Sequence, residues 1–447
     1  MNDTGLPGSP AAWRQRVLTL ALPIMLSNAT VPLVGVVDTA VMGRMSTPDF
    51  LSATAIGAVL FSSIFWAFGF LRMSTGGLVA QALGAGKLQS IRHISCRALL
   101  LAALIGICII AMQSPLERLG LYAFDGTASM RSLSSDYFRV RILSAPATLM
   151  LYAVIGSLVG QQRMRDILLL QFVLNGLNIL LTISFFQFTD WTIKGVAAAS
   201  VISEYLALAF GLWLLREQLL PDKLSSGRRW RESTLVWLFD RTELQHFFSI
   251  SGDIFIRTLC LTGAFYWLTV VGSRFGDATL AANAVLIQFV HFSAHALDGF
   301  AHAAESLAGY AHGLRQSQAL RQAVRATSQT GIGIAVAFCL LYALLGELIV
   351  DALTTQSEVR NLSQDWLPWI IMAPLTGFAS FILDGVFIGT TQTRAMRNAM
   401  LVSVAVFLIS IELLTRLLGN HGLWLSYHVL MVARATTLGL KLPQLLR

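Results

Sequence analysis

The stretch "LALPIMLSNATVPLVGVVDTAVMGR" (residues 20–44) contains a single acidic residue, Asp38, among side chains that are almost all apolar or small. It belongs to an apolar run over residues 17–43, and about 20 such residues cross the hydrocarbon core of a bilayer as a helix. Of the 447 residues, 55% are hydrophobic and 13% are charged, whereas soluble proteins carry about 25% charged residues. The sequence therefore predicts a helical protein that crosses the membrane repeatedly.

Apolar run lengths predict twelve transmembrane spans. Lys and Arg concentrate in alternate loops, and the positive-inside rule then predicts that both termini are cytoplasmic. No small-residue cleavage site follows Arg14 and Arg16, so we expect the first span to be retained. The predicted spans are 17–43, 51–77, 96–114, 139–160, 166–187, 194–215, 245–272, 279–306, 326–348, 365–389, 397–416 and 422–440.

Two pairs of segments indicate an internal repeat. "SAPATLMLYAVIGSLVGQQRMR" (144–165) is similar to "MAPLTGFASFILDGVFIGTTQTR" (372–394), and "RMSTGGLVAQALGAGK" (72–87) is loosely similar to "AHAAESLAGYAHGLRQ" (301–316). Both offsets correspond to six spans, so the repeat keeps its orientation in the membrane. The predicted fold class is an all-α polytopic membrane protein with twelve transmembrane helices, in two six-helix bundles related by a pseudo-two-fold axis along the membrane normal.

The predicted organisation follows from the longest polar segment, which separates the two halves. That segment, 217–243, contains Arg228, Arg229 and Arg231 and is expected to be a cytoplasmic linker. We expect the substrate cleft between the two lobes, near the bilayer midplane. The predicted parts are the N-terminus 1–16, the N-lobe 17–216, the linker 217–243, the C-lobe 244–440 and the C-terminus 441–447.

Four segments carry a family resemblance: residues 20–44, "FGFLRMSTGGLVAQALGAG" (68–86), "LDGFAHAAESLAGYA" (297–311) and "ILDGVFIGTTQTRAMR" (382–397). They resemble the MATE (multidrug and toxic compound extrusion) transporters, and in particular their bacterial DinF-like branch. The resemblance runs from about residue 15 to about residue 440. It implies an antiporter of the bacterial inner membrane that exports organic, often cationic, compounds against inward H⁺ or Na⁺.

Asp38 is the first candidate for ion coupling. A lone carboxylate within a bilayer costs roughly 2.5–3.5 kcal/mol on insertion scales unless it is paired, solvated or protonated. The simpler alternative is that it reaches water or pairs with Arg44 near the end of the span. Pro23 and Pro32 weaken the same helix and predict a bend. The resemblance implies that the aspartate of this motif binds a proton or Na⁺, and we favour that interpretation.

Span five offers partners for Asp38. Asn175 and Asn178 lie one turn apart on one helix face. In the family that the sequence resembles, an acid follows such an asparagine four residues later, but here that position is Thr182. A Na⁺ site requires several oxygen ligands with compensating negative charge, so the missing acid favours H⁺.

Glu204 in span six is a second carboxylate near the predicted ion site. Two interpretations stay open: it joins the coupling site, or it pairs with Lys194 or faces water. Arg139 and Arg141, at the start of span four, are expected to extend to the membrane interface rather than to act as ligands.

The second half carries a polar stripe along span eight. His291, His295, Asp298, His302 and Glu305 are spaced four, three, four and three residues apart, which places them on one helix face. Zinc ligation by the histidines is a minor alternative. The simpler one is a face turned to a water-filled cleft.

Two further acids, Asp253 and Asp384, lie in spans seven and ten. Asp253 and Arg257 are four residues apart, which predicts an ion pair within one helix. Asp298, Glu305 and Asp384 would then lack a cation. Such a surplus of negative charge predicts proton storage or a cationic substrate.

The predicted function is H⁺-coupled export of organic cations or amphipathic toxic compounds by alternating access. A flippase for a lipid-linked precursor is the alternative, and basic residues that hold phosphates would distinguish it. No nucleophile–base pair indicates an enzyme. We expect no cofactor apart from the coupling H⁺, with Na⁺ as the alternative. The expected partners are small molecules and membrane lipid, with no nucleic acid, and the expected state is a monomer.

Overall fold

The computed structural model of the protein describes residues 6–45, 47–122, 127–189, 193–219 and 237–446. Within these ranges the regular elements are helices and there is no strand. Helices suit a lipid environment because each satisfies its own backbone hydrogen bonds. Most of the predicted linker, with Arg228, Arg229 and Arg231, lies outside the described residues.

The helices follow the apolar runs of the sequence. In chain order they are α1 (Pro10–Met42), α2 (Asp49–Ala67), α3 (Phe70–Gly84), α4 (Leu88–Ala111), α5 (Gln113–Tyr122), α6 (Ala128–Arg141), α7 (Ala145–Gly160), α8 (Met164–Phe188), α9 (Ile193–Leu214), α10 (Arg216–Leu219), α11 (Arg241–Ser273), α12 (Asp277–Gly313), α13 (Ser317–Leu353), α14 (Ser357–Gly389), α15 (Thr393–Leu418), α16 (Asn420–Gly439) and α17 (Leu442–Leu445).

Among the described residues, 11 helical segments are long and apolar enough to cross a membrane. The twelfth predicted span corresponds to α16. This helix is more polar than the others because it contains Asn420, His428 and Arg434, all of them buried. The prediction of an all-α polytopic fold is confirmed.

Two spans are interrupted in ways that run length did not predict. The second span consists of α2 and α3, separated at Phe68 and Gly69. In the fourth, a 3-10 turn over Ile142–Ser144 separates α6 from α7, and Pro146 lies in the first turn of α7. Proline is tolerated there because the first helical N–H groups have no partner within the helix.

Two helices extend well beyond the predicted spans. α12 and α13 have 37 residues each, which corresponds to a length of about 55 Å at 1.5 Å per residue. The hydrocarbon core is about 30 Å thick. Run length identified the apolar centre of these helices and missed their polar continuations.

The contacts divide the chain into two compact units. One comprises Leu26–Phe248 and is called the N-terminal unit; the other comprises Met1–Met25 with Ser249–Arg447 and is called the C-terminal unit. The helices α1 and α11 therefore each contribute residues to both units. The predicted lobe boundaries stay a prediction.

In the N-terminal unit, α7 packs closely against α3 through two glycines. A Cβ atom added to Gly156 would lie less than 3.0 Å from the carbonyl oxygen of Arg72, and one added to Gly160 would lie equally close to that of Gly76. Small residues four apart allow membrane helices to approach backbone to backbone.

The C-terminal unit repeats this packing between α14 and α12. A Cβ added to Gly385 or Gly389 would lie less than 3.0 Å from the carbonyl oxygen of Ala301 or Glu305, respectively. These positions are related to those of the N-terminal unit by the offset that relates residues 72 and 301 in the repeated sequence. Each unit thus contains the same contact, as an internal repeat requires.

The segment before α11 is bound to α4 within the N-terminal unit. Arg97 is buried and donates to the carbonyl oxygens of Trp237 (2.8 Å) and Leu238 (3.4 Å). His93 stacks on the Trp237 ring, with 3.9 Å between the ring centroids. A buried arginine thereby satisfies backbone groups that would otherwise lack partners.

The glycine packing predicts a specific loss of stability. Gly385→Ala should lower the melting temperature of the purified protein in detergent, because overpacking at a close contact costs about 1–3 kcal/mol. Gly333→Ala in α13 is the matched control, since nothing lies within 4 Å of a Cβ at that position. Equal melting temperatures for the two variants would contradict the packing argument.

Candidate functional site

Asp38 lies near the end of α1 and is half-buried. The hydroxyl of Thr182, on α8, donates to Asp38 Oδ1 at 3.4 Å. Thr182 itself is buried. The structure therefore brings together the acid and the residue that stands where the resemblance implies a second acid.

The two asparagines of α8 bond to other groups. Asn175 Nδ2 donates to Thr30 Oγ1 at 2.6 Å, and Asn178 Nδ2 donates to Ser200 Oγ at 2.9 Å. Asn178 Oδ1 is buried and accepts no hydrogen bond within the described part of the chain. Asn178 is one turn before Thr182 on the same helix, so the two residues share one face of α8.

Glu204 is held by an arginine. Arg141 Nη2 donates to Glu204 Oε1 at 2.6 Å, and the Thr148 hydroxyl donates to Glu204 Oε2. Both carboxylate oxygens are engaged, and the side chain is only 11% exposed.

The structure contradicts one of the alternatives left open for Glu204 and one expectation for Arg141. Lys194 pairs with Asp136 at 3.3 Å and not with Glu204. Arg141 does not extend to the membrane interface, because its side chain is 14% exposed and turns inward to Glu204, whereas Arg139 is 64% exposed and pairs with Glu117. A carboxylate buried in the bundle attracts the nearer cation inward.

Asp384, on α14, pairs with two arginines. Arg257 Nη2, from α11, and Arg434 Nη2, from α16, both donate to Asp384 Oδ2, the second at 2.6 Å. All three side chains are buried. The expectation that Asp384 lacks a cation is therefore wrong, and so is the predicted surplus of negative charge at this position.

Asp253 also finds its partner on another helix. Arg397 Nη1 donates to Asp253 Oδ1 at 2.7 Å, and Thr393 Oγ1 donates to Oδ2 at 2.9 Å. The predicted ion pair between Asp253 and Arg257 is wrong. Long arginine side chains reach across to neighbouring helices, so spacing of four residues on one helix does not determine the pairing.

The polar stripe of α12 is not uniform in its surroundings. His291 and His295 are exposed, Asp298 is 43% exposed, and His302 and Glu305 are buried. His302 Nδ1 lies 2.6 Å from the carbonyl oxygen of Asp298 and 3.5 Å from its carboxylate. The buried end of the stripe lies where α12 packs against α14, as the contact between Glu305 and Gly389 demonstrates.

Pro23 and Pro32 lie within α1, which is one uninterrupted helix from Pro10 to Met42. The boundary between the two units falls after Met25, close to Pro23. The bend expected at these prolines stays a prediction.

Sequence reasoning missed the importance of Arg141, Arg397 and Arg434. Arg434 lies in the apolar sequence "YHVLMVARATTLGL" (427–440). An arginine within a membrane helix is itself a signal of a buried partner or a functional site. That rule identifies Arg434 from sequence, although it does not name Asp384 as the partner.

Long apolar helices with ion pairs between them define a polytopic membrane protein. The sequence matches the MatE family over residues 23–183 and again over residues 254–414. The chain therefore belongs to the MatE family, and the two matches confirm its internal repeat. The members of this family are transporters and not enzymes, so this multi-pass integral membrane protein is a transporter.

Relatives and solved structures agree with this assignment. The chain is 38% identical to DNA damage-inducible protein F of Escherichia coli K12, over 94% of this chain and 90% of that protein. It is 22% identical to multidrug resistance protein NorM of Vibrio vulnificus, over 96% and 95% of the two chains. The MATE transporter VcmN of Vibrio cholerae, in its bent form, has a TM-score of 0.84 at 19% identity and covers 99% of this chain and 98% of its own.

The paired arginines predict that Asp384 is needed for stability. Asp384→Asn should lower the melting temperature strongly, because removing one partner of a buried ion pair costs about 3–5 kcal/mol. Asp298→Asn is the control, since Asp298 is 43% exposed. If Asp384→Asn melts at the temperature of the wild type, the arginines are satisfied in another way and the assignment fails.

Proposed function

We propose that the chain is a secondary active antiporter, which exports organic cations or amphipathic toxic compounds in exchange for inward H⁺. The relatives that carry the name multidrug resistance protein support the substrate class. We further propose that it acts as a monomer in the bacterial inner membrane with both termini cytoplasmic, as the distribution of Lys and Arg indicates.

The hydrogen bonding of Glu204 is the observation that favours H⁺ over Na⁺ as the coupling ion. Both oxygens of Glu204 are bonded, one to Arg141 and one to Thr148. Asp38 is therefore the one carboxylate that the Thr182 contact offers to an ion. A dehydrated Na⁺ needs several oxygens and compensating charge, whereas a proton needs a single carboxylate oxygen.

Protonation of Asp38 is proposed as the coupling event. In dry surroundings a carboxylic acid is favoured in its neutral form, and in wet surroundings in its charged form. Exposure to each side of the membrane in turn would load and release one proton. Because Asp38 lies on the same helix as Pro23 and Pro32, its change of charge acts on a helix whose prolines favour bending.

The ion pairs of the C-terminal unit limit which of its acids can bind a cationic substrate. Asp384 and Asp253 are neutralised by arginines and are no longer candidates for binding a cation. Asp298 is partly exposed and adjacent to His302. We therefore propose that amphipathic character contributes more to recognition than positive charge does, with Asp298 as the acid that favours cations.

The flippase alternative gains no support from the buried arginines. It requires basic residues that hold phosphate groups. Arg141 donates to Glu204, and Arg257 and Arg434 share the carboxylate of Asp384. Each arginine is therefore already bonded to an acid, and only the cluster at Asp384 keeps one net positive charge.

Asp38→Asn tests the coupling residue. The variant should lose export driven by a pH gradient in proteoliposomes, because an amide cannot bind and release a proton at this position. Expression level and melting temperature serve as controls for folding. A well-folded variant that exports at the wild-type rate would exclude Asp38 as the coupling site.

The identity of the ion is tested separately with the wild-type protein. Substrate transport should follow an imposed pH gradient and remain nearly unchanged when a Na⁺ gradient is imposed at fixed pH. Thr182→Asp supplies a second carboxylate beside Asp38 and should add Na⁺ dependence. Strong stimulation of the wild type by Na⁺ would contradict the proposal.

A further inference from the structure

The guanidinium group of Arg141 interacts with two acids in the N-terminal unit. Arg141 is bonded to Glu204 at 2.6 Å and also interacts electrostatically with Asp38. Among the described residues, it is the positive charge that interacts with Asp38. A second polar group, Tyr137, interacts with Arg141, Asp38 and Glu204.

The surroundings of Arg141 hold its side chain in place. Its guanidinium carbon lies 5.6 Å from the ring centroid of Phe61 and 5.7 Å from that of Phe65. Ser144, in the 3-10 turn that follows α6, also accepts from Arg141. Aromatic faces attract a guanidinium and are suited to its flat shape. The arginine is therefore a positioned part of the site and not a mobile surface charge.

We propose that Arg141 is the specificity-determining residue that makes the Asp38 site select H⁺ over Na⁺. The inference rests on the proposed H⁺ coupling and deepens it. Arg141 acts in two ways, as an internal cation that occupies Glu204 and as a fixed charge that repels a second cation. Both effects disfavour Na⁺, and neither prevents a proton from binding to a carboxylate oxygen.

The charges balance in each state of the cycle. With Asp38 ionised, Asp38, Glu204 and Arg141 together carry one negative charge. A proton from water forms an O–H bond on the Asp38 carboxylate and brings the sum to zero, and the same bond breaks when the proton returns to water on the other side. Arg141 stays protonated throughout, because a guanidinium is not deprotonated in proteins.

The described groups that interact with Asp38 are Thr182 of α8 and Tyr137 and Arg141 of α6. Glu204 of α9 is connected to this group through its bond to Arg141. It is the carboxylate that could become a cation ligand, and it can do so only when Arg141 releases it. Removing Arg141 should therefore convert a one-carboxylate site into a two-carboxylate site.

The test is a gain of function in Arg141→Gln. In proteoliposomes at fixed pH, a Na⁺ gradient should raise export by this variant about tenfold over a matched choline gradient, a coupling of ordinary size. Arg141→Lys retains the fixed charge and should remain indifferent to Na⁺. Arg139→Gln is the matched control on the same helix, since Arg139 is 64% exposed and pairs with Glu117; it should behave like the wild type.

A second readout does not require transport. Purified Arg141→Gln should bind radioactive Na⁺ and should melt at a higher temperature in NaCl than in choline chloride, whereas the wild type should do neither. The double variant Arg141→Gln with Glu204→Gln has one carboxylate again and should lose both effects. Na⁺ binding that persists in the double variant, or is absent in folded Arg141→Gln, would overturn the proposal.

A third variant keeps the test decisive if Arg141→Gln does not fold. Glu204→Gln removes a negative charge, so the charge of Arg141 then acts on Asp38 without competition from Glu204. The ionised form of Asp38 is therefore favoured. The pH at which export is half-maximal should then move to a lower value. An unchanged pH profile in folded Glu204→Gln would contradict the shared role of Arg141.

Measurements on the wild type distinguish a failure of this inference from a failure of the proposed function. If the wild type exports neither with a pH gradient nor with a Na⁺ gradient, the antiport proposal fails. Na⁺ binding by Arg141→Gln but not by the wild type would still support the role of Arg141 in that case. If the wild type itself binds Na⁺ tightly, the role of Arg141 is excluded.

Discussion

A charged side chain inside a bilayer is stable only with an opposite charge, with hydrogen-bond donors or with a bound proton. The acids of this transporter meet that constraint in different ways. Asp384, Asp253 and Glu204 each accept from an arginine of another helix. Asp38 accepts from the hydroxyl of Thr182 at 3.4 Å, and the cation that interacts with it, Arg141, is bonded to Glu204. Asp38 thus has no arginine of its own, and the proposed coupling by protonation follows from that difference.

The same pairings determine which helices are bound to one another. Asp384 joins α11, α14 and α16 of the C-terminal unit through two buried arginines. In the N-terminal unit, the pair of Arg141 and Glu204 joins α6 to α9. By contrast, the described side-chain bonds between α1 and α8 are two hydrogen bonds, from Thr182 to Asp38 and from Asn175 to Thr30, without an ion pair. A change of charge at Asp38 thus acts on a helix that α8 holds without opposite charge, while ion pairs hold the helices around it.

The helices were predictable because apolar run length and the need to satisfy backbone groups determine them. The contact between Asp38 and Thr182 was predictable from the resemblance to a known family. The partners of the other acids were not. Spacing on one helix predicted a bond between Asp253 and Arg257. In the packed structure, Arg397 pairs with Asp253 and Asp384 pairs with Arg257. Both new partners lie on other helices, which the sequence does not place next to α11. Arg141 was misjudged because its position at the start of a span is also that of an interfacial residue.

The paired glycines have a consequence for how the two halves can diverge. Most side chains that face lipid can be exchanged for other apolar residues, so sequence similarity between the halves fades with time. At Gly156, Gly160, Gly385 and Gly389 the neighbour of the missing Cβ is a carbonyl oxygen of the facing backbone, and no rotamer change can make room. The same four positions are therefore constrained in both halves, whatever the substrate is. The ancestry of the two halves is recorded more durably in how their backbones touch than in the residues that they share.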